Sequence, residues 1–141
     1  MDKSVAGFFL PIAVHIICCI INFGNFLQGH VMWTNVLAGA CYILFGLLFP
    51  FFARRWPFTV TVTAVLAGFL LLSCLFALAS EVLPGLLTYT LPFILAFWPP
   101  VSAVFDLFLD GAAGWKVMAV FALVWLIYLL CLRRSVRTSN K

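Results

Sequence analysis

Polar side chains recur on one face of the first long apolar segment, PIAVHIICCIINFGNFLQGH. At 100° per residue, His15, Asn22 and Asn25 fall within one narrow arc of a helix, and Gln28 continues this polar stripe more loosely. Polar groups are costly against lipid, so the stripe must face other helices or a water-filled cavity. Imidazole and amide groups there could line a solute or ion pathway, with His15 able to titrate near neutral pH. The alternative interpretation is interhelical hydrogen bonding, which needs no site.

A second group of ionisable residues could attract cations at one end of the protein. Asp106 lies inside an apolar segment, and an ionisable residue in such a segment is a functional candidate by default. It joins the polar stripe as a candidate for binding or for a pathway. Three further residues are candidates for the outer mouth of that pathway: His30, Glu81 and Asp110. The simpler interpretation is that acidic residues collect at an outer surface without any function.

The sequence carries no motif of an enzyme or of a cofactor site. It contains no G-x-S-x-G, no H-E-x-x-H and no phosphate-binding loop, and its two histidines point toward opposite ends of one helix. The five cysteines form no C-x-x-C pair and lie in apolar runs, where a thiol behaves as a small hydrophobe: Cys18, Cys19, Cys41, Cys74 and Cys131. We therefore expect no catalytic activity, no cofactor and no metal.

Composition assigns these residues to a membrane protein. Hydrophobic residues make up 66% of the 141 residues and charged residues only 9%, whereas a soluble domain carries about 25% charged residues. The net charge of +4 comes from basic residues at the ends of apolar segments, which argues for a lipid bilayer as the partner and against nucleic acid. The sequence predicts an all-α integral membrane protein with a single transmembrane domain, residues 1–141.

Four apolar segments are long enough to span a bilayer, at about 5–26, 31–53, 57–80 and 115–132, and a cytoplasmic tail follows at 133–141. A further apolar segment at about 86–109 is broken by Pro99 and Pro100, which remove two backbone donors. Each half is too short to cross, so the segment is expected to be re-entrant or interfacial, between the third and fourth spans. The alternative is a proline-kinked fifth span.

The distribution of basic residues favours four spans. With four, seven of the eight basic residues face the cytoplasm, as the positive-inside rule requires: Lys3, Arg54, Arg55, Arg133, Arg134, Arg137 and Lys141. With five, one arginine cluster would lie outside. Both termini are therefore expected in the cytoplasm, and the short loops are typical of a prokaryotic cytoplasmic membrane.

Small residues predict where helices approach closely. The second span carries Asn35, Gly39, Tyr42 and Gly46 on one face, and the third carries Thr61, Ala64 and Gly68. The expected core packs the polar stripe against these two faces. The last span is bulky all round, so we expect it to face mostly lipid or a second copy.

Two functional hypotheses follow from these features. One is a small transporter or channel for a small solute or cation, formed as a homo-oligomer because four helices with one polar stripe enclose little. The other is a non-catalytic accessory or assembly subunit that packs against a partner membrane subunit.

Overall fold

The described part of the chain is almost entirely helical, with no strand among its residues. A computed structural model describes residues 2–28, 31–56, 58–83, 85–108 and 112–139. The elements in chain order are α1 (Lys3–Gln28), α2 (Trp33–Phe52), α3 (Thr59–Val82), α4 (Leu86–Phe97), α5 (Pro99–Phe108) and α6 (Ala112–Ser139).

The four long helices, α1, α2, α3 and α6, are apolar and long enough to cross a membrane. The bent pair α4–α5 would make a fifth crossing only if it counted as one span. The predicted helical segments therefore exist where the apolar runs indicated them. α6 differs from its predicted segment because it continues to Ser139, through most of the region expected to be a tail.

Contacts between the helices define two ends of the bundle. Hydrogen bonds from α1 to α2 pair residue 15 with 42 and residue 21 with 35, so these helices are antiparallel. Phe8 packs edge-on against Phe58, which brings the starts of α1 and α3 together. The start of α6 lines a cavity with the end of α1, and its later residues bond to the second half of α2. Five basic residues therefore share one end, hereafter the basic end: Lys3, Arg54, Arg55, Arg133 and Arg134.

α6 contributes one face to the core, which the sequence did not predict, while most of its side chains point away from the core. Met118, Trp125 and Leu129 are almost fully buried, and α6 makes its most extensive helix–helix contact with α3. This face could not be predicted because a helix that is apolar all round shows no pattern to mark its packed side.

Trp125 replaces a hydrogen bond that Pro50 removes from α2. A helical carbonyl normally accepts the backbone N–H four residues later, and Pro50 has none to offer to Gly46. The indole Nε1–H of Trp125 donates to the Gly46 carbonyl at 3.1 Å instead. A Cβ on Gly46 would overlap the Trp125 ring, so glycine is required for this close approach. One turn later, the Tyr128 hydroxyl donates to the carbonyl of Leu47 at 3.0 Å.

The predicted packing face of α2 is confirmed, and that of α3 is confirmed only at Ala64. All four predicted residues of α2 are buried, and Pro50 extends their row. On α3, Ala64 packs against the core, but the fully buried row includes Thr63, Ala67 and Cys74, and a Cβ on Gly68 would meet nothing within 4 Å. Small residues on a uniformly apolar helix therefore identified its contact side only in part.

The broken segment doubles back on α3 and then turns. α4 runs antiparallel to α3, with Phe93 against Phe76 and Phe97 stacked on Phe69 at 5.1 Å. The axis bends by 83° between the two halves, at Trp98. α5 then packs against α2, α1 and α6, and it ends beside the start of α6.

Candidate functional site

His15 is buried at the centre of the bundle, and both of its ring nitrogens have protein partners. Nε2 lies 3.0 Å from the Ala96 carbonyl, and Nδ1 lies 2.8 Å from the Tyr42 hydroxyl. A carbonyl can only accept, so Nε2 carries the proton, and in the neutral ring Nδ1 accepts from the Tyr42 O–H. His15 therefore joins three helices, α1, α2 and α4, through one side chain.

The Ala96 carbonyl is available because of the proline pair. Its normal helical donor would be the N–H of residue 100, which is a proline. His15 takes the place of that donor, and the Cys19 thiol donates to the same carbonyl at 3.3 Å. This repeats the arrangement at Pro50 and Trp125. In an apolar bundle a freed carbonyl needs a donor from a neighbouring helix, and an aromatic or imidazole N–H supplies it at both breaks.

Two further contacts hold the bend between α4 and α5. The Trp98 indole donates to the Ser73 hydroxyl at 2.9 Å, and Ser73 in turn donates to the Leu70 carbonyl at 2.7 Å. On the other side, a Cβ on Gly39 would lie only 2.8 Å from Val104 and 3.0 Å from the Pro100 carbonyl. The bend is therefore fixed from α1, α2 and α3 at once, and it is an ordered part of the core.

Asn22 shares the face of α1 that carries His15, but its amide is not used. Asn22 is 1% exposed, and within the part of the chain that the structure describes neither amide atom has a hydrogen-bond partner. Asn35 on the facing helix is buried to a similar extent, yet it donates to the Ile21 carbonyl at 3.1 Å. The two asparagines therefore have the same type and depth but different bonding.

This difference predicts opposite effects for the same substitution. Asn35→Leu should lower the free energy of unfolding by about 1–2 kcal/mol, because it removes a hydrogen bond that joins α2 to α1. Asn22→Leu should be neutral or stabilising, since no hydrogen bond is lost and an unpaired amide is replaced by an apolar group of similar size. Denaturant unfolding of both variants in detergent micelles measures this. A destabilising Asn22→Leu in a folded protein would mean that the Asn22 amide has a partner of its own, as a functional site requires.

Asp106 lies apart from the histidine cluster. It lines a small cavity of about 70 Å³ at the end of the bundle opposite the basic end, together with Ser102 and Trp115. Glu81 is exposed on α3 and does not line this cavity, and Gln28 is exposed at the end of α1. Of the predicted pathway residues, His15 therefore belongs to a buried cluster and Asp106 to a separate cavity, while Asn22 and Gln28 belong to neither.

Three candidates cannot be located. His30 and Asp110 lie outside the described residues, and so does the side chain of Asn25. Among the described residues, no group of three or more histidine, cysteine or acidic side chains could hold a metal ion. The chemistry that the located residues support is hydrogen bonding between helices, and the carboxyl group of Asp106 adds oxygen atoms to the wall of a small cavity.

Sequence reasoning missed Tyr42 as a partner of His15, and it missed Trp98 and Trp125 as donors. A signal for part of this was present. Each proline inside an apolar helix frees the carbonyl four residues earlier, which must find a donor. His15, Trp98 and Trp125 are among the few ring N–H groups in the chain that could supply one.

Comparison with known proteins adds no relative: no protein-family model, no curated protein and no solved structure matches the chain. Its function must be inferred from its own residues.

Proposed function

We propose that the protein is a four-span membrane protein in which α4–α5 is a re-entrant hairpin, with both termini in the cytoplasm of a prokaryotic cell. The 83° bend supports this, since each half of the pair is too short to cross. So does the position of the start of α6, beside the end of α1. The arginines at the basic end supply the cytoplasmic signal of the positive-inside rule.

Within that arrangement, the proposed role is a non-catalytic accessory or assembly subunit of a larger membrane complex. The observation that carries this proposal is the bonding of His15, because both ring nitrogens are occupied by groups of the same chain. An imidazole that is buried and bonded at both nitrogens inside one bundle has no free ring nitrogen to line a pore between copies. The outer surface is rich in large apolar side chains, which suit contact with lipid or with the helices of a partner.

Transport of a small cation is the second candidate, and the cavity at Asp106 is the observation that favours it. A carboxylate beside the Ser102 hydroxyl offers oxygen ligands of the kind that hard cations prefer. The Asn22 amide also favours transport, because it is unpaired and lies one turn before the cavity residue Phe26. The bonding of both His15 ring nitrogens within the bundle supports the accessory role more directly than this cavity supports transport.

Isolation from native membranes and flux measurements together separate these roles. The accessory role predicts that the tagged chain purifies in mild detergent with another membrane protein at a fixed ratio. It also predicts that the chain alone in liposomes carries no flux of K⁺ or Na⁺ above that of empty vesicles. A homo-oligomer without a partner whose cation flux is reduced by Asp106→Asn would contradict it. Glu81→Gln is the matched control, because Glu81 is an exposed acid outside the cavity.

A further inference from the structure

An apolar groove lies between α1 and α3 on the outside of the bundle. Its volume is about 470 Å³, and its exposed lining is apolar. The wall residues include Phe8, Ile12, Phe58, Val65, Phe69 and Phe97. We call this surface the α1–α3 groove.

The groove exists because α4 stops halfway along α3. α4 covers α3 only as far as the stacked rings of Phe97 and Phe69, which close the deep end of the groove. Below that point none of the described helices covers the same flank of α3. From Phe69 to Phe58 at the basic end, α3 extends for about 16 Å, and half of a bilayer's hydrocarbon core is about 15 Å. The groove is therefore as deep as one leaflet.

The charge near the mouth of the groove indicates which kind of ligand would bind there. Arg54 and Arg55 are exposed in the short connection that leads to Phe58. Of the acidic residues that the structure describes, Asp2 is the one at the basic end, and its carboxylate accepts the backbone N–H of Ser4. Basic residues beside an apolar groove at the cytoplasmic surface attract anionic headgroups.

Phe58, at the mouth of the groove, has a strained backbone conformation. Its φ of 67° is in the left-handed region, which is unusual for an aromatic residue. Its ring lies edge-on to Phe8, with centroids 6.3 Å apart, so this backbone conformation accompanies an aromatic contact between the two walls. Strained residues of this kind are concentrated where a ligand is held.

We propose that the α1–α3 groove binds one anionic phospholipid from the cytoplasmic leaflet, with an acyl chain in the groove and the headgroup phosphate on Arg54 and Arg55. A transmembrane helix of a partner or of a second copy would need a face about 30 Å long, which this groove does not offer. An acyl chain of one leaflet has the matching length. The proposal rests on the membrane placement proposed above.

Lipid retention by the full chain tests this. The protein is reconstituted in nanodiscs of equal parts phosphatidylglycerol and phosphatidylcholine with identical acyl chains, then released into mild detergent, and the retained lipids are counted by native mass spectrometry. We expect one phosphatidylglycerol per chain. Arg54→Gln with Arg55→Gln should lower the preference for phosphatidylglycerol about 25-fold, since each basic residue near the surface contributes roughly fivefold. Arg54→Lys with Arg55→Lys should keep most of it.

Substitutions that fill the groove provide a second test of the proposal. Val65→Trp should abolish retention of both lipids, and the smaller Val65→Phe covers the case in which the tryptophan variant does not fold. Val124→Trp is the matched control, because Val124 is a valine of similar exposure that lies on α6, away from the groove. Lys116→Gln is the charge control, since Lys116 lies near the start of α6, at the other end of the bundle.

Three outcomes would overturn the proposal. The wild type could retain the two lipids equally, or the control variants could change retention as much as the groove and arginine variants do. The third outcome is retention that survives both changes at Val65. A dimer that cross-links through Val65→Cys in a cysteine-free chain would assign the groove to a second copy instead. Cysteine labelling of the chain termini tests the membrane placement separately, so failure of lipid binding and failure of that placement give different results.

Discussion

Replacing His15 with leucine is expected to lower the free energy of unfolding by about 2–4 kcal/mol. The substitution leaves two polar groups without their partner, the Ala96 carbonyl and the buried Tyr42 hydroxyl. Interhelical hydrogen bonds in membranes are individually weak, but an unpaired carbonyl next to a proline break has no donor of its own helix to return to. The Cys19 thiol still reaches the Ala96 carbonyl, and as a weak donor it moderates the loss.

A double-mutant cycle with Tyr42→Phe separates bonding from packing. Tyr42→Phe alone removes one hydroxyl, and the double variant should cost about 1 kcal/mol less than the sum of the single variants, because the two side chains share a bond. Unfolding by denaturant in detergent micelles, followed by circular dichroism, measures all three variants. A neutral His15→Leu with no coupling to Tyr42 would show that the imidazole is not a structural link. A flux lost with His15→Leu at unchanged stability would favour transport.

Replacing both Pro99 and Pro100 with leucine is expected to change the topology. The restored N–H groups would let the helix continue from α4 into α5, giving a continuous apolar helix about 34 Å long, enough to cross a bilayer. The start of α6 would then move to the cytoplasmic side and its end to the outer side. The arginines near the end of α6 would therefore oppose the positive-inside signal of Arg54 and Arg55. We expect a mixed orientation of the α6 tail or a low yield of inserted protein.

Pro92→Leu is the matched control for this variant. Pro92 lies inside α4, away from the bend, so its replacement should leave the orientation unchanged. The measurement compares the labelling side of Ala112→Cys with that of Leu83→Cys in each background. If the double leucine variant keeps the orientation and yield of the wild type, the prolines only kink the segment, and other contacts decide its placement.

The helices could be predicted from the sequence, but most of their contacts could not. Apolar runs of sufficient length mark the four long helices directly, and the proline pair marks the break. The buried face of α2 was predictable because Gly39 and Gly46 are small residues at helical spacing among large ones. On α3 and α6 that contrast is missing, since apolar residues surround the whole helix and lipid and protein neighbours demand the same side chains.

The histidine cluster shows a second limit. His15 was identifiable as a polar residue that needs partners, but one of these partners is a backbone carbonyl 81 residues away. Every residue has a backbone carbonyl, so composition and spacing cannot show which one His15 contacts. The bend that presents this carbonyl is itself a tertiary arrangement, fixed by Trp98 on Ser73 and by the close approach at Gly39.

Cysteine labelling in intact cells tests the four-span arrangement most directly. In a chain with its five native cysteines replaced, single cysteines are placed at Ser4 and Thr138, near the two termini, and at Leu83 and Ala112, on either side of the bent pair. A membrane-impermeant maleimide added from outside should label positions 83 and 112, and it should label positions 4 and 138 only after the membrane is opened. Labelling of 83 and 112 from opposite sides, with 4 and 138 also on opposite sides, would mean that the bent pair crosses the membrane as a fifth span, and the four-span arrangement would be wrong.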